Sequence, residues 1–546
     1  MLDDATSPPG LVDLPAIPKA EAALSSPTPS TPLAAATPDH LLTPDNRAAA
    51  LRLLDGVLRT GVDFKLGQPV YTARLDAHEL RDRLVRPLAD NPVDLTDLLA
   101  EFGREVLPYC KNEASPQFLG FGDTGADLAA LAGGLLALLT QQNLINQDFD
   151  SPSATFCEIA ALRWLREMFG YLNPPVDRVQ SVWHVGGVVT HGGTASNAAA
   201  MMLAREHAVP GTMHSGVRDP GRFAVLVPAG IGHYSVASAL AWIGCGAQVV
   251  PVATAGFRYD LPSLHAALTE HRGRVMAVVA YCGDSRTQTL EDLRGVHDLV
   301  RGHDERIWLH ADACWGLMAA LTPRLAHRLD GICGYDSITV DPHKVLDIPY
   351  SLSALLVRDP DSMRAIASHS DLIMQEEYAF GQATPFVGSR GWASLMLWLA
   401  MRAHGRTGLA ALVDRRLDLT ARCAQLIDEQ PRLMRLHDPD MTAIAFVYLP
   451  AGFDPAHPDI DAVNAVNAAI HARMLDEGAW YLHQFTLPDA QGRIQPGAVL
   501  RPLRFVGCNT RITEQHLVDV LAHVVTLGAA VDSVAGDRSC EPGAVR

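Results

Sequence analysis

The chain has 546 residues, 48% of them hydrophobic and 19% charged, enough for two or more globular domains with sizeable cores. Its formal net charge of -17 argues against a nucleic-acid binder, which needs a basic face. The nine cysteines are scattered, with no C-x-x-C pair and no close His/Cys cluster, so a reducing compartment is expected and a metal site is not.

Residues 1 to about 45 are rich in Pro, Ala, Ser and Thr and read as a disordered tail. Met1-Leu2-Asp3-Asp4 carries neither a basic nor an apolar signal region. The longest apolar run, Leu128 to Leu139, is too short to span a bilayer, so a soluble cytoplasmic protein with no membrane partner is expected. Helical pattern runs over Arg47–Leu58 and from His78 through Leu107, where Pro108 stops it. Alone, these helices cannot bury their apolar faces and must pack on another domain or subunit. Two further helices are expected at Gly122–Leu139 and Ser153–Phe169.

A regular alternation then begins. Apolar runs at Phe223–Val227, Gln248–Val252, Val275–Tyr281, Ile307–Ala311, Ser337–Val340 and Ala354–Val357 read as buried strands. Helical stretches at Ser235–Ile243, Leu261–His271 and Leu290–Arg301 separate several of them. This is the pattern of an α/β fold with a mostly parallel sheet covered on both faces. A long helix from Trp392 to about Gln430 leads into a smaller α/β unit. That unit comprises strands Thr442–Leu449, Ala479–Thr486 and Val499–Val506 and helices Ile460–Leu475 and Glu514–Leu527. The resulting division is a tail (1–45), an N-terminal helical segment (46–125), a large domain (126–410), a small domain (411–535) and a second tail (536–546).

Chemistry concentrates at strand ends. Lys344 follows His343 in Asp341-Pro342-His343-Lys344, where the strand Ser337–Val340 runs out, and Asp312 ends the strand beginning at Ile307. Open α/β sheets bind ligands at such edges. A lysine and an aspartate there suit pyridoxal 5'-phosphate (PLP): the amine condenses with its aldehyde and the carboxylate keeps its pyridine nitrogen protonated. Gly192-Gly193-Thr194-Ala195-Ser196-Asn197 opens an Ala-rich helix and offers hydroxyls and free N–H groups to an anion. On its own it is equally a plain Gly-Gly turn with a Thr cap. His233, in Gly232-His233-Tyr234-Ser235, can stack on a flat heterocycle, although a lone histidine is more often structural.

Taken together, Gly192–Asn197, His310-Ala311-Asp312-Ala313-Cys314-Trp315-Gly316 and Asp336 to Lys344 resemble the group II PLP-dependent amino-acid decarboxylases, over roughly residues 110 to 530. The resemblance implies a fold-type-I large domain with a seven-stranded sheet, and Lys344 as the residue holding the cofactor. It further implies Asp312 on the pyridine nitrogen, His233 stacked on the ring, and Thr194, Ala195 and Ser196 with His343 at the phosphate. A homodimer with active sites at the interface is implied, with the N-terminal segment as a dimerisation element. One departure stands out: where relatives carry Gly-Thr-Thr, this chain has Gly283-Asp284-Ser285-Arg286-Thr287. Asp284 and Ser285 are expected to hydrogen-bond there instead.

The family supplies the proton for Cα from a mobile loop, often with a tyrosine; the loop between Arg358 and Arg390 makes Tyr378 the candidate acid. Arg504 matches an arginine near the family's site and is equally a structural ion pair. Phe118 and Phe121, with the Gln141–Gln147 amide run, fall where the family lines its substrate pocket and include no basic residue. A pocket without a cation disfavours an acidic side chain, and the Gln142-Asn143-Leu144-Ile145-Asn146-Gln147 run resembles bacterial decarboxylases of neutral aliphatic amino acids, which implies valine or leucine as substrate. Aromatic amino-acid decarboxylation, aldehyde-forming oxidative deamination on the same fold, and an inactive homologue kept as a dimer partner remain alternatives.

Overall fold

A computed structural model describes residues 41–371, 373 and 377–539. Most of the first expected tail, and residues 540–546 of the second, lie outside them. Seven strands make the large sheet: β1 (Gly187–Thr190), β2 (Ala224–Pro228), β3 (Val249–Val252), β4 (Val275–Tyr281), β5 (Trp308–Ala313), β6 (Ser337–Val340) and β7 (Ser353–Val357). Their order is β1-β7-β6-β5-β4-β2-β3. Strands β2 to β6 pair in parallel, and β7 runs antiparallel between β6 and β1. Every residue of β1, β2 and β4 to β7 is buried, which is why these segments read as continuous apolar runs. Only β3, at the edge, is partly exposed, and it tolerates Pro251 there.

Strand β1 was not expected; its four residues sit among glycines inside what reads as a phosphate loop. Gly187 is required because a Cβ would come within 2.7 Å of the Leu355 carbonyl oxygen. The helix Gly193–Ala208 follows directly and is buried almost throughout, its alanines allowing it to lie close on the sheet.

A second core surrounds four antiparallel strands, β8 (Leu433–Arg435), β9 (Ala443–Tyr448), β10 (His483–Gln484) and β11 (Leu503–Val506), in the order β8-β9-β11-β10. The single strand expected over 499–506 is broken. Pro502 has no N–H for a ladder, so Val499–Leu500 pairs with Leu487–Pro488 while β11 joins the sheet. Of the strand expected over 479–486, only β10 enters the ladder. The last helix runs Glu514–Ser539, well past the expected end. It contains one stretch apolar and long enough to cross a bilayer, but Leu517, Val520, Leu521, Val524 and Leu527 are buried in this second core. Between the two cores, helix Ser394–Asp428 turns at Gly405, whose φ of 59° favours glycine. The expected 410/411 boundary falls within that helix.

The N-terminal helices differ in kind. Arg47–Leu66, Ala77–Leu84 and Leu95–Glu105 contain no buried residue. The continuous pattern expected over 78–107 is interrupted between the last two, where Pro87 and Pro92 withhold helix hydrogen bonds. The helix expected from Gly122 begins at Leu128, where the Asp127 carboxylate accepts the Ala130 N–H at 2.7 Å.

Candidate active site

Because β1, β2 and β4 to β6 point the same way, their carboxyl ends meet along one edge. The segments leaving that edge enclose a cavity of about 220 Å³, bordered among others by Gly193, Thr194, Asn197, His233, Asp312 and Lys344. Sequence positions spread over 150 residues thus converge through topology alone.

Asp312 is buried and held on two sides. Oδ2 accepts from Asn197 Nδ2 at 2.9 Å and Oδ1 from the Cys314 N–H at 3.2 Å. Asn197 also donates to Ser235 Oγ at 2.9 Å, and its Oδ1 lies 3.1 Å from His310 Nε2. Burial lowers the His310 imidazole to about 4, so it is neutral; Nε2–H then donates to Asn197 and Nδ1 accepts from Ser337 Oγ at 2.8 Å. The chain Ser337–His310–Asn197–Asp312 fixes the orientation of the carboxylate. Asn197 and His310 lay inside the sequence motifs, but no spacing signalled that they act as a pair.

Lys344 projects into the cavity with Nζ 2.7 Å from Asp341 Oδ2. Burial disfavours its charge, but Asp341, Cys314 and Asp123 outweigh burial and raise the ammonium above lysine's ordinary value. His343 Nδ1 is 2.7 Å from the Leu352 carbonyl oxygen, which it meets as donor, while Nε2 lies 3.9 Å from both Asp123 Oδ1 and Asp341 Oδ2. His233 receives its position from its backbone N–H, which donates to the Tyr281 hydroxyl at 2.9 Å, and from Nδ1, 2.7 Å from Ser235 Oγ. Burial lowers this imidazole as well, against the opposing pull of Asp312.

The anion loop is only partly as expected. Thr194 borders the cavity, whereas the Ser196 hydroxyl turns inward to Thr190 Oγ1 at 2.6 Å. The Ala195 and Ser196 N–H groups meet the Gly192 carbonyl oxygen at 3.0 and 3.3 Å. The first N–H groups of a helix otherwise lack intrahelical partners, so the start of Gly193–Ala208 keeps its anion-binding character. Gly193 is indispensable: a Cβ would sit 2.7 Å from Cys314 Sγ and 2.8 Å from both Asp341 oxygens.

Four expectations are corrected. Tyr378 is not among the residues bordering the cavity; its hydroxyl donates to the Val179 carbonyl oxygen at 2.7 Å and its ring packs edge-on to Phe156. Asp284 turns into its own loop, accepting the N–H groups of Arg286, Thr287 and Thr289 at 2.7 to 2.9 Å, while Gly283 and Ser285 border the cavity. Phe118 and Phe121 do not border this cavity within the single chain: Phe118 stacks on Tyr481 at 4.9 Å and Phe121 meets His483 at 4.6 Å. The amide run ties down the 373–391 segment instead, with Asn143 Oδ1 accepting the Arg390 N–H at 2.9 Å and Asn146 donating to the Ile373 carbonyl.

An amine, an oriented carboxylate, an imidazole and a helix N-terminus around one small cavity make the donor set that PLP requires. Residues 78–449 match the model of the pyridoxal-dependent decarboxylase conserved domain. The chain belongs to the pyridoxal-dependent decarboxylases. It is 28% identical over 447 residues to L-2,4-diaminobutyrate decarboxylase of Rhizobium meliloti (strain 1021), covering 79% of this chain and 85% of that one. Cysteine sulfinic acid decarboxylase of Rattus norvegicus is 28% identical over 361 residues, covering 64% and 70%. Among solved structures, mouse CSAD in apo form superposes with a TM-score of 0.78 at 23% identity, covering 88% of this chain and 99% of that one. Oryza sativa TDC with PLP and tryptamine does so with a TM-score of 0.78 at 20% identity, covering 90% and 99%. This pyridoxal-dependent decarboxylase is thus a fold-type-I lyase that uses PLP to decarboxylate an amino acid. The sequence resemblance is borne out for family, fold and cofactor.

Proposed function

We propose that the substrate is an L-amino acid with a neutral aliphatic side chain, valine or leucine, released as the primary amine and carbon dioxide. One observation carries this reading: Arg504, bonded to the cavity-bordering Ser285, and Lys111, beside Phe118, already have partners. Lys111 Nζ, 4.9 Å from the Phe118 ring, pairs with Glu113 at 2.6 Å. The buried Arg504 guanidinium lies over Phe121 at 4.7 Å and Phe485 at 5.4 Å, and donates to the carbonyl oxygens of Gly120 and Ser285. Arg504 Nε, itself buried, has no hydrogen-bond partner, but the rest of the guanidinium is engaged, so an acidic side chain would be desolvated with little compensation.

When bound, PLP supplies the electron sink for the breaking Cα–carboxyl bond. Lys344 would be the amine that engages it, Asp312 would keep its ring nitrogen protonated, His233 would lie against the ring, and Thr194 with the helix N-terminus and His343 would take the phosphate. Exposed leucines and valines along Arg47–Leu66 and Leu128–Thr140 support a homodimer in which a second copy covers them. A cytoplasmic location fits the free cysteines.

A second reading rests on Asp123. It is buried, its Oδ1 has no hydrogen-bond partner, and burial pushes its carboxyl up to about 6. It would suit a substrate bearing a second ammonium, the kind of amino acid named for the Rhizobium relative. Incubating the purified enzyme and PLP with valine, leucine, tryptophan, aspartate, cysteine sulfinate and 2,4-diaminobutyrate, then identifying products, separates the readings. Isobutylamine or isoamylamine is the expected product; a diamine would favour the Asp123 reading, and an aldehyde with ammonia would overturn both.

A further inference from the structure

Two carboxylates reach this cavity, and they are used differently. Asp312 has both oxygens engaged by Asn197 and the Cys314 N–H. Asp341 accepts the Ser353 hydroxyl on Oδ1 at 2.5 Å and presents Oδ2 to Lys344 Nζ at 2.7 Å. Its side chain is 1% exposed, and its position is dictated locally. Strand β6 ends at Val340, the turn Pro342–Val345 begins at once, and one helical turn separates Asp341 from Lys344. Gly193 leaves the room: a Cβ there would lie 2.8 Å from both carboxylate oxygens.

Each neighbouring element contributes a charged or titratable group to this lysine. Asp341 and His343 come from its own turn, Cys314 and Asp312 from the end of β5, Asp123 from the segment before Leu128, and His233 from the loop after β2. Asp341 is the one whose oxygen touches Nζ. A buried carboxylate costs several kcal/mol without a counter-charge, so Lys344 and Asp341 each hold the other's charge in place.

We propose that Asp341 is a positioning residue that receives Lys344 as an ammonium whenever the lysine is not joined to the cofactor. The inference rests on Lys344 being the cofactor-bearing amine. When a substrate amine takes its place, the C=N bond to the lysine would be exchanged for one to the substrate, and the two hydrogens the substrate ammonium gives up would end on Nζ, leaving it an ammonium. Asp341 Oδ2, 2.7 Å from Nζ, holds that ammonium and keeps the displaced amine from attacking again. On product release the lysine would re-form its C=N bond, and the same two hydrogens would depart on the product, which leaves as an ammonium. The exchange is proton-neutral, and no solvent base is required.

The test compares wild type, Asp341→Asn and Asp341→Glu after removal of PLP, measuring acetylation of each lysine by acetic anhydride at pH 8 with mass spectrometry. Lys111 serves as the internal reference. Lys344 acetylates about tenfold or more faster in Asp341→Asn, corresponding to a lowering of about one pKa unit or more, and stays protected in Asp341→Glu. In the PLP-loaded enzyme, Asp341→Asn loses about tenfold in kcat with KM nearly unchanged, and the deficit widens as pH rises because unpaired Nζ loses its proton sooner. Equal Lys344 reactivity in all three proteins overturns the proposal. If Asp341→Asn does not fold, the Nζ titration of reductively methylated wild type decides: a value above ordinary lysine supports the pairing and a value at or below it refutes it. The acetylation and titration readouts do not need turnover. A chain that decarboxylated none of the amino acids tested would therefore contradict the substrate reading while leaving this one standing.

Discussion

The carboxyl edge of the large sheet and the N-terminal helices handle their apolar residues in opposite ways. At the edge, six of seven strands are wholly buried, glycines are pressed against neighbours, and nearly every polar atom of Asp312, Asn197 and His310 has a partner. Along Arg47–Leu66, Leu51, Leu54, Val57 and Leu58 are each about half exposed, and the helix buries nothing. Chemistry needs atoms held to fractions of an ångström, and dense packing within one chain provides that. The helices carry an apolar stripe that the described residues leave largely exposed; a second copy is the expected cover.

Perturbing each side should sharpen this contrast. The largest effect is expected from Asp312→Asn, which removes the charge facing the cofactor nitrogen and should lower kcat by about 10²–10³-fold with little change in melting temperature. Asn197→Ala is next. It strands the Asp312 carboxylate and His310, costing about 1–3 kcal/mol of stability in denaturant titration and weakening PLP retention in dialysis. By contrast, Leu54→Asp with Val57→Asp should leave the fold of a single chain unchanged and shift sedimentation toward the monomer. A double variant that sediments as wild type would show that the stripe is not an interface.

The smallest effect concerns pH. His310 titrates at about 4 in the fold and near 6.5 when unfolded, so between these values the unfolded chain binds the extra proton. Its contribution to stability is therefore present above 6.5 and is lost as pH falls toward 4. Asp123 and Glu291, pushed up to about 6 and about 7 by burial, act in the opposite sense; their contributions are full below the ordinary carboxylate range and lost as pH rises through those values. Wild-type melting curves mix the three. The difference between wild type and His310→Gln isolates the first, and it should narrow on acidification from pH 6.5.

What was legible in the sequence follows the same division. Buried parallel strands announce themselves as apolar runs, so β4 and β6 were located to the residue, and Lys344 and Asp312 followed as the polar residues at strand ends. Strand β1 escaped because it opens on Gly187 and lies between Gly186 and Gly192-Gly193, which read as turn signals. Tyr378 and the Asn143–Asn146 amides were misplaced because loop side chains are positioned by long-range contacts, Val179 and Arg390 among them, that no local pattern encodes. The Lys344–Asp341 pair lay in plain view three residues apart, yet only the closeness of Gly193 shows why the carboxylate stays buried.

The most direct measurement is borohydride reduction of the PLP-loaded protein followed by peptide mapping. The account predicts a single pyridoxyl group on Lys344, with the visible cofactor band lost in Lys344→Ala. A pyridoxyl group on Lys65 or Lys111, or a band that persists in Lys344→Ala, would contradict it.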